Sequence, residues 1–79
     1  MEVKILGTGC PVCRRLEQVV RETAAAEGIE IRLVKVSDIA EIMAYDILAT
    51  PGLVIEGRLR SAGRLPRRDE IVAWLREAQ

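Results

Sequence analysis

The chain has 79 residues, 49% apolar and 30% charged, with 12 basic and 12 acidic side chains and no net charge. These values suit one small soluble domain, residues 1–79, and argue against disordered, fibrous or polycationic chains. Histidine is absent, which removes Cys–His nucleophilic pairs, Ser–His–Asp triads and mixed Cys/His zinc sites.

Glu2-Val3-Lys4-Ile5-Leu6 reads as a short strand. Gly7-Thr8-Gly9 follows, a loop whose glycines permit close backbone approach. From Pro11 onward, Val12, Leu16, Val19, Val20 and Thr23 recur at helical spacing, while Arg14, Arg15, Glu17, Gln18, Arg21 and Glu22 take the other face. Gly28 is a natural helix stop. Alternating residues from Ile29 through Leu33, running on to Val36, predict a second strand with one face on the core. Ser37 is placed to cap a short helix that extends to Asp46, with Ile39, Ile42 and Met43 on one side.

Thr50-Pro51 interrupts the chain, and Leu53-Val54-Ile55, Glu56-Gly57 and Arg58-Leu59-Arg60-Ser61-Ala62 then predict a hairpin. Pro66 precedes a last amphipathic helix carrying Ile71, Val72 and Leu75, with Trp74 near the same face. The order is βαβαββα. The opening strand–helix–strand implies a right-handed parallel unit, and the hairpin adds antiparallel partners. An α/β fold follows, a four-stranded mixed sheet with helices on both faces. No run approaches the roughly 18 apolar residues of a membrane span, and Met1-Glu2-Val3-Lys4 leads into a strand rather than a signal peptide. The expectation is a cytoplasmic protein with no membrane association.

The only cysteines, Cys10 and Cys13, fall at the junction between the first strand and the first helix. A disulfide between them would close a loop of about four residues, worth only ~2 kcal/mol in the chain-entropy picture, against ~3 kcal/mol for fifteen residues. As a staple it is poor, but as a reversible two-electron switch it is well placed. A helix start offers unpaired N–H groups and a positive dipole end that favour a thiolate. Proline at the first helical position loses no hydrogen bond. A helix beginning at Pro11 puts Cys10 at the cap, open to solvent, and Cys13 one turn inside, nearer Leu16 and Val20. Cys10 is therefore the candidate nucleophile toward a substrate disulfide and Cys13 the thiol that resolves the mixed disulfide. The alternative is a metal or iron–sulfur carrier using the same two thiolates, with further ligands supplied from elsewhere. Familiar two-cysteine carrier domains also open with a strand and a Cys-x-x-Cys helix, but place two strands before their second helix. Here Ser37–Asp46 reads as helix before any hairpin.

The combination of a strand, Gly7-Thr8-Gly9-Cys10-Pro11-Val12-Cys13, a helix and Thr50-Pro51 before a hairpin resembles the minimal thioredoxin fold. More narrowly, it is similar to the small thioredoxin/glutaredoxin-like redox-active disulfide proteins of archaea and bacteria. Tyr45, Ile47, Pro51 and Leu53 match the thioredoxin pattern leading into the third strand, and Ser61-Ala62-Gly63-Arg64-Leu65-Pro66 resembles the narrower family. The resemblance implies a protein disulfide oxidoreductase with no cofactor beyond the Cys10–Cys13 disulfide and no resident metal. It implies that Pro51 is cis and packs against the disulfide, and that Thr50, Pro51, Pro11 and Val12 shape a substrate groove where an extended partner segment pairs. Expected partners are protein disulfides and a thioredoxin-reductase-like reductant, met by a monomer. There are departures. Lys4 stands six residues before Cys10, where thioredoxins carry a buried Asp. Ala49-Thr50-Pro51 and Gly63-Arg64-Leu65 replace the Thr-Val-Pro and paired glycines of glutaredoxins.

Charge is unevenly distributed: residues 1–57 hold six basic and nine acidic side chains, residues 58–79 six and three. Arg58 and Arg60 alternate along the predicted edge strand, where charge deters edge-to-edge pairing. With only Tyr45 and Trp74 as aromatics, no stacking surface for nucleic acid is expected. Arg14 lies one turn beyond Cys10, where a cation opposes the helix dipole. It is either a solvated charge balanced by Glu17 or Gln18, or a group that favours the Cys10 thiolate or attracts an anionic substrate.

Overall fold

The computed structural model describes residues 1–7, 9–47 and 49–79. Thr8, in the glycine loop, and Leu48 lie outside the described residues. The elements are β1 (Glu2–Leu6), α1 (Pro11–Ala26), β2 (Arg32–Val36), α2 (Ile39–Met43), β3 (Gly52–Ile55), β4 (Arg58–Ala62) and α3 (Arg68–Ala78). They form a four-stranded sheet in the order β2-β1-β3-β4. β1 pairs parallel with β2 and antiparallel with β3, and β4 returns antiparallel along β3. This is the expected minimal thioredoxin fold.

Alternation along β1 and β3 sorts the core into two layers. Val3 and Ile5 of β1 and Leu53 and Ile55 of β3 join Leu16, Val20, Ala24, Ile71 and Leu75 of α1 and α3. Leu6 and Val54, at the alternate positions, point the other way, with Val36, onto Ile42, Tyr45 and Ile47 around α2. The long helices cover one face and the short helix the other. Within α1, Cys13, Leu16, Val20, Thr23 and Ala24 are buried, whereas Val12, expected on that face, is 44% exposed. At about 100° per residue, Val12 falls on the edge of the stripe and Cys13 near its middle.

Two element boundaries differ from expectation, each for a local reason. Ile29 is not yet strand. Gly28 is left-handed (φ +67°), and the Gly28 and Ile29 N–H groups donate to Ala25 O and Ala24 O at 3.2 and 2.9 Å. These are the two bonds of a Schellman stop, which draws Ile29 into the core and delays β2 to Arg32. Helix α2 ends at Met43, short of Asp46, and it is capped by Asp38 rather than Ser37: Asp38 Oδ1 accepts from Ala40 N–H at 3.0 Å. The hairpin turn at Glu56-Gly57 has both residues at positive φ, +50° and +78°, the mirror-image turn whose twist matches the flanking strands.

The start of α3 is held by Glu70. Its carboxylate accepts Arg67 N–H at 2.9 Å and two bonds from the Arg64 guanidinium at 3.0 and 2.8 Å. Arg64, followed by the Arg67 N–H, lowers the Glu70 carboxyl from its ordinary 4.5 to about 2. The same contacts fasten the Gly63–Pro66 loop, and a Cβ on Gly63 would come within 3.2 Å of Ala49 Cβ. Through Gly63, whose N–H donates to Pro51 O at 2.9 Å, the loop backs the Thr50-Pro51 segment. None of the helices among the described residues is long and apolar enough to cross a membrane.

Removing the Leu16 side chain at the α1–sheet contact is expected to cost about 2–5 kcal/mol. For a domain of this size that lowers the melting temperature of Leu16→Ala by at least about 8 °C, measurable by calorimetry. A second expectation concerns acid. A carboxyl whose folded pKa is depressed stabilises the fold above its unfolded pKa and loses that contribution as pH falls through the folded value. Glu70→Gln should therefore melt below wild type at neutral pH, the gap closing between pH 4.5 and about 2. A gap that stays constant over that range in thermal melts would contradict it.

Candidate functional site

The site is assembled where the carboxyl ends of β1 and β2, the start of α1 and the approach to β3 converge. Cys10 is the N-cap of α1, extended at φ −84° and ψ 151°, with Pro11 in the first helical turn. The Cys10 sulfur accepts the Cys13 N–H at 3.0 Å, the place that a Ser or Asp oxygen fills at most helix starts. Cys10 and Cys13 are joined in a disulfide. Cys10 is half-buried and Cys13 only 4% exposed, so the two sulfurs divide into an accessible and a shielded one. Pro11 and Val12 are exposed beside them.

Gly7 forms the opposite wall. Its φ of +119° is a backbone conformation that glycine alone adopts readily, and its N–H is fixed to Val36 O at 2.9 Å. A Cβ here would lie 2.9 Å from Thr50 Cβ and 3.1 Å from Cys13 Sγ. The chain thus brings Thr50 and the buried sulfur together across a residue that has no side chain to separate them. The Thr50–Pro51 peptide bond is cis, as the resemblance implied. Pro51 is buried and Thr50 exposed. Pro51 O accepts Gly63 N–H at 2.9 Å, and Gly52 enters β3 opposite Leu6 and Ala62.

Two depressions flank this wall. On the β2 side, Gly7, Gly9, Cys13, Arg14, Glu17 and Lys35 surround a cleft of about 370 Å³, with Ser37 on its rim. On the α2 side, Ile39, Ile42, Ile47, Ala49 and Thr50 line an apolar groove of about 290 Å³. Lys35 and Ser37, from β2 and the turn after it, are neighbours of the disulfide that the local sequence does not indicate. The signal lay in the topology: parallel β1 and β2 bring their carboxyl ends to the same edge, so the residues after Leu6 and around Val36 had to meet.

Charges near the disulfide are arranged differently from the simple expectation. Glu17 bonds Arg21 at 3.2 Å and Lys35 at 3.5 Å, and Gln18 bonds Glu22. Neither balances Arg14, whose Nη2 instead donates to Gly9 O at 3.3 Å. Lys4 lies on the opposite face of the sheet from α1. Its Nζ donates to Tyr45 Oη at 3.3 Å, which chiefly raises its pKa, and it contributes nothing to the disulfide side. Among the described residues no group of three or more His, Cys, Asp or Glu side chains is placed to hold a metal. In this state the two sulfurs are bonded to each other, so any metal would require their reduction first.

The family model of the thioredoxin domain matches residues 1–76. The chain is 35% identical over 71 residues to a protein named thioredoxin from Methanothermobacter thermautotrophicus, covering 90% of this chain and 92% of that one. It is 33% identical over 69 residues to a thioredoxin from Methanocaldococcus jannaschii, covering 87% of this chain and 79% of that one. A family match across nearly the whole sequence, two relatives aligned over most of their length and a sheet of the expected order agree: the chain belongs to the thioredoxin domain family.

Proposed function

We propose that the protein is a thiol–disulfide oxidoreductase in which Cys10 attacks and Cys13 resolves. The observation that carries this reading is the disulfide across the α1 cap, with one sulfur accessible and the other buried behind Gly7. In the reduced protein the Cys10 thiolate attacks one sulfur of a substrate disulfide and expels the other as a thiolate, forming a mixed disulfide. Cys13, deprotonated, then attacks the Cys10 sulfur, releases the substrate as a dithiol and restores Cys10–Cys13. Two electrons pass to the substrate, and an external dithiol reductant of the thioredoxin-reductase class returns them. The burial of Cys13 keeps it from competing for substrate while leaving it in reach of Cys10.

Thr50 and Pro51, with Pro11 and Val12, form the surface on which an extended substrate segment lies in this proposal. The apolar groove from Thr50 to Ile39 offers room for a substrate side chain beside it. A thioredoxin-like role is favoured over a glutathione-dependent one by Arg64. Where glutaredoxins carry paired glycines for glutathione, this loop is fastened to α3 through the Arg64–Glu70 bonds. On this reading the protein works as a monomer in the cytoplasm, a reducing compartment in which a close cysteine pair is catalytic rather than structural.

The test is reduction of insulin disulfides with a dithiol reductant. Wild type should accelerate it, Cys10→Ser should fall to the uncatalysed background, and Cys13→Ser should accumulate a mixed disulfide visible as a mass adduct on Cys10. An inactive wild type that instead binds stoichiometric zinc, copper or iron through both thiols would favour the carrier reading.

A further inference from the structure

Helix α2 buries none of its residues, and its Ile39 and Met43 are 71% and 65% exposed, more than any other large apolar side chain among the described residues. Ile39 and Ile42, with Ile47, Ala49 and Thr50, line the groove of about 290 Å³. The groove ends at Thr50, whose Cβ stands beside the Cys13 sulfur across Gly7. One pattern marks its wall: each lining isoleucine directly follows an acid, in Asp38-Ile39, Glu41-Ile42 and Asp46-Ile47. Between Ser37 and Thr50 there is no basic residue. All three acids are exposed, and none forms an ion pair among the described residues, whereas Asp69, Glu70 and Glu77 of α3 are all paired. Lys4, which reaches this side of the sheet, is held by Tyr45 and Glu2. The groove is therefore apolar within and negative around it. A second copy of the chain suits it poorly, because a two-fold contact would set these carboxylates against their own images.

We infer that this groove selects basic clients. An extended segment beside the client's disulfide seats a bulky aliphatic side chain among Ile39, Ile42 and Ile47, and carries Lys or Arg next to it for Asp38, Glu41 and Asp46. The inference rests on the proposed oxidoreductase function and names the class of protein on which it acts. At about 3.3 Å per residue of extended chain, the anchor side chain lies a few residues from the cysteine that Cys10 attacks. The aliphatic contact supplies affinity in proportion to the apolar area it covers. The acids supply choice, since charge across an interface discriminates between partners more than it tightens binding.

The test separates docking from turnover. Two cysteine-free peptides share a central Leu, flanked by Lys in one and by Glu in the other, and are titrated into the oxidised, isotope-labelled protein at low salt. The Lys peptide should shift the amide resonances of Ile39, Ile42, Ile47 and Thr50 and bind about tenfold more tightly than the Glu peptide, the scale of three exposed charge pairs. Replacing its Leu by Ser should weaken it. In the second arm both sequences carry a disulfide, and kcat/KM for its reduction should show the same preference. Asp38→Asn, Glu41→Gln and Asp46→Asn together should bring that ratio to about one. Asparagine caps a helix as aspartate does and tolerates the left-handed backbone of Asp46 (φ +58°), and a ratio is insensitive to partial loss of folded protein. Equal binding of the two peptides, shifts confined to other residues, or a ratio unmoved by the triple replacement overturns the inference. So does a shift of the same resonances with protein concentration alone, which assigns the groove to a second copy. Docking of the Lys peptide without reduction of either disulfide overturns the proposed function and still supports the groove's preference. Reduction of both at equal kcat/KM supports that function and overturns the preference.

Discussion

The site depends on one steric condition: Gly7 must carry no side chain. Its Cα occupies the gap between Thr50 and the Cys13 sulfur, and a single added carbon would stand closer to both than side-chain carbons normally approach. Because Gly7 is also hydrogen-bonded to the end of β2, it cannot simply move aside. The end of β1, the first turn of α1 just after it and the loop before β3, far along the chain, are thereby brought to one point. The sheet order makes this possible, since β1 lies between β2 and β3 and so delivers its last residues between theirs.

The difference in exposure between the two cysteines follows from where the helix begins. With Pro11 in the first turn, Cys10 falls at the cap, outside the helix, where its sulfur replaces the usual capping oxygen. Three residues on, Cys13 enters the apolar stripe that continues through Leu16 and Val20. A shift of the start by one residue would change both exposures together. The proline, whose fixed φ suits the first turn and whose missing N–H is not needed there, is what favours this start over its neighbours.

Much of this was legible in the sequence because it is governed by short-range rules. The two-residue alternation of β1 and β3, the helical stripe of α1, the Glu56-Gly57 turn and the Cys-x-x-Cys placement each depend on residues a few positions apart. What was not legible depends on partners chosen in three dimensions. Ser37 and Asp38 are both competent caps, and only the path of the chain out of β2 decides that Asp38 Oδ1 meets Ala40 N–H. The alternating pattern at Ile29 suited a strand, but the two Schellman bonds claimed it first. Glu17 stood one turn from Arg21 and three residues from Arg14. Its pairing with Arg21 and with Lys35 of β2 required knowing that β2 runs beside β1.

The charge asymmetry of the chain takes on a different meaning once those partners are known. Much of the basic C-terminal segment is paired: Arg60, Arg64, Arg67 and Arg76 meet the carboxylates of Glu77, Glu70, Asp69 and Glu27. Exposed pairs of this kind add little stability singly; the Arg64–Glu70 pair holds the β4–α3 loop, whose Gly63 N–H meets Pro51 O. The N-terminal segment, acidic on balance, uses one carboxylate twice: Glu17 holds Arg21 of its own helix and Lys35 of β2, and so ties α1 to the strand that borders the cleft at Gly7.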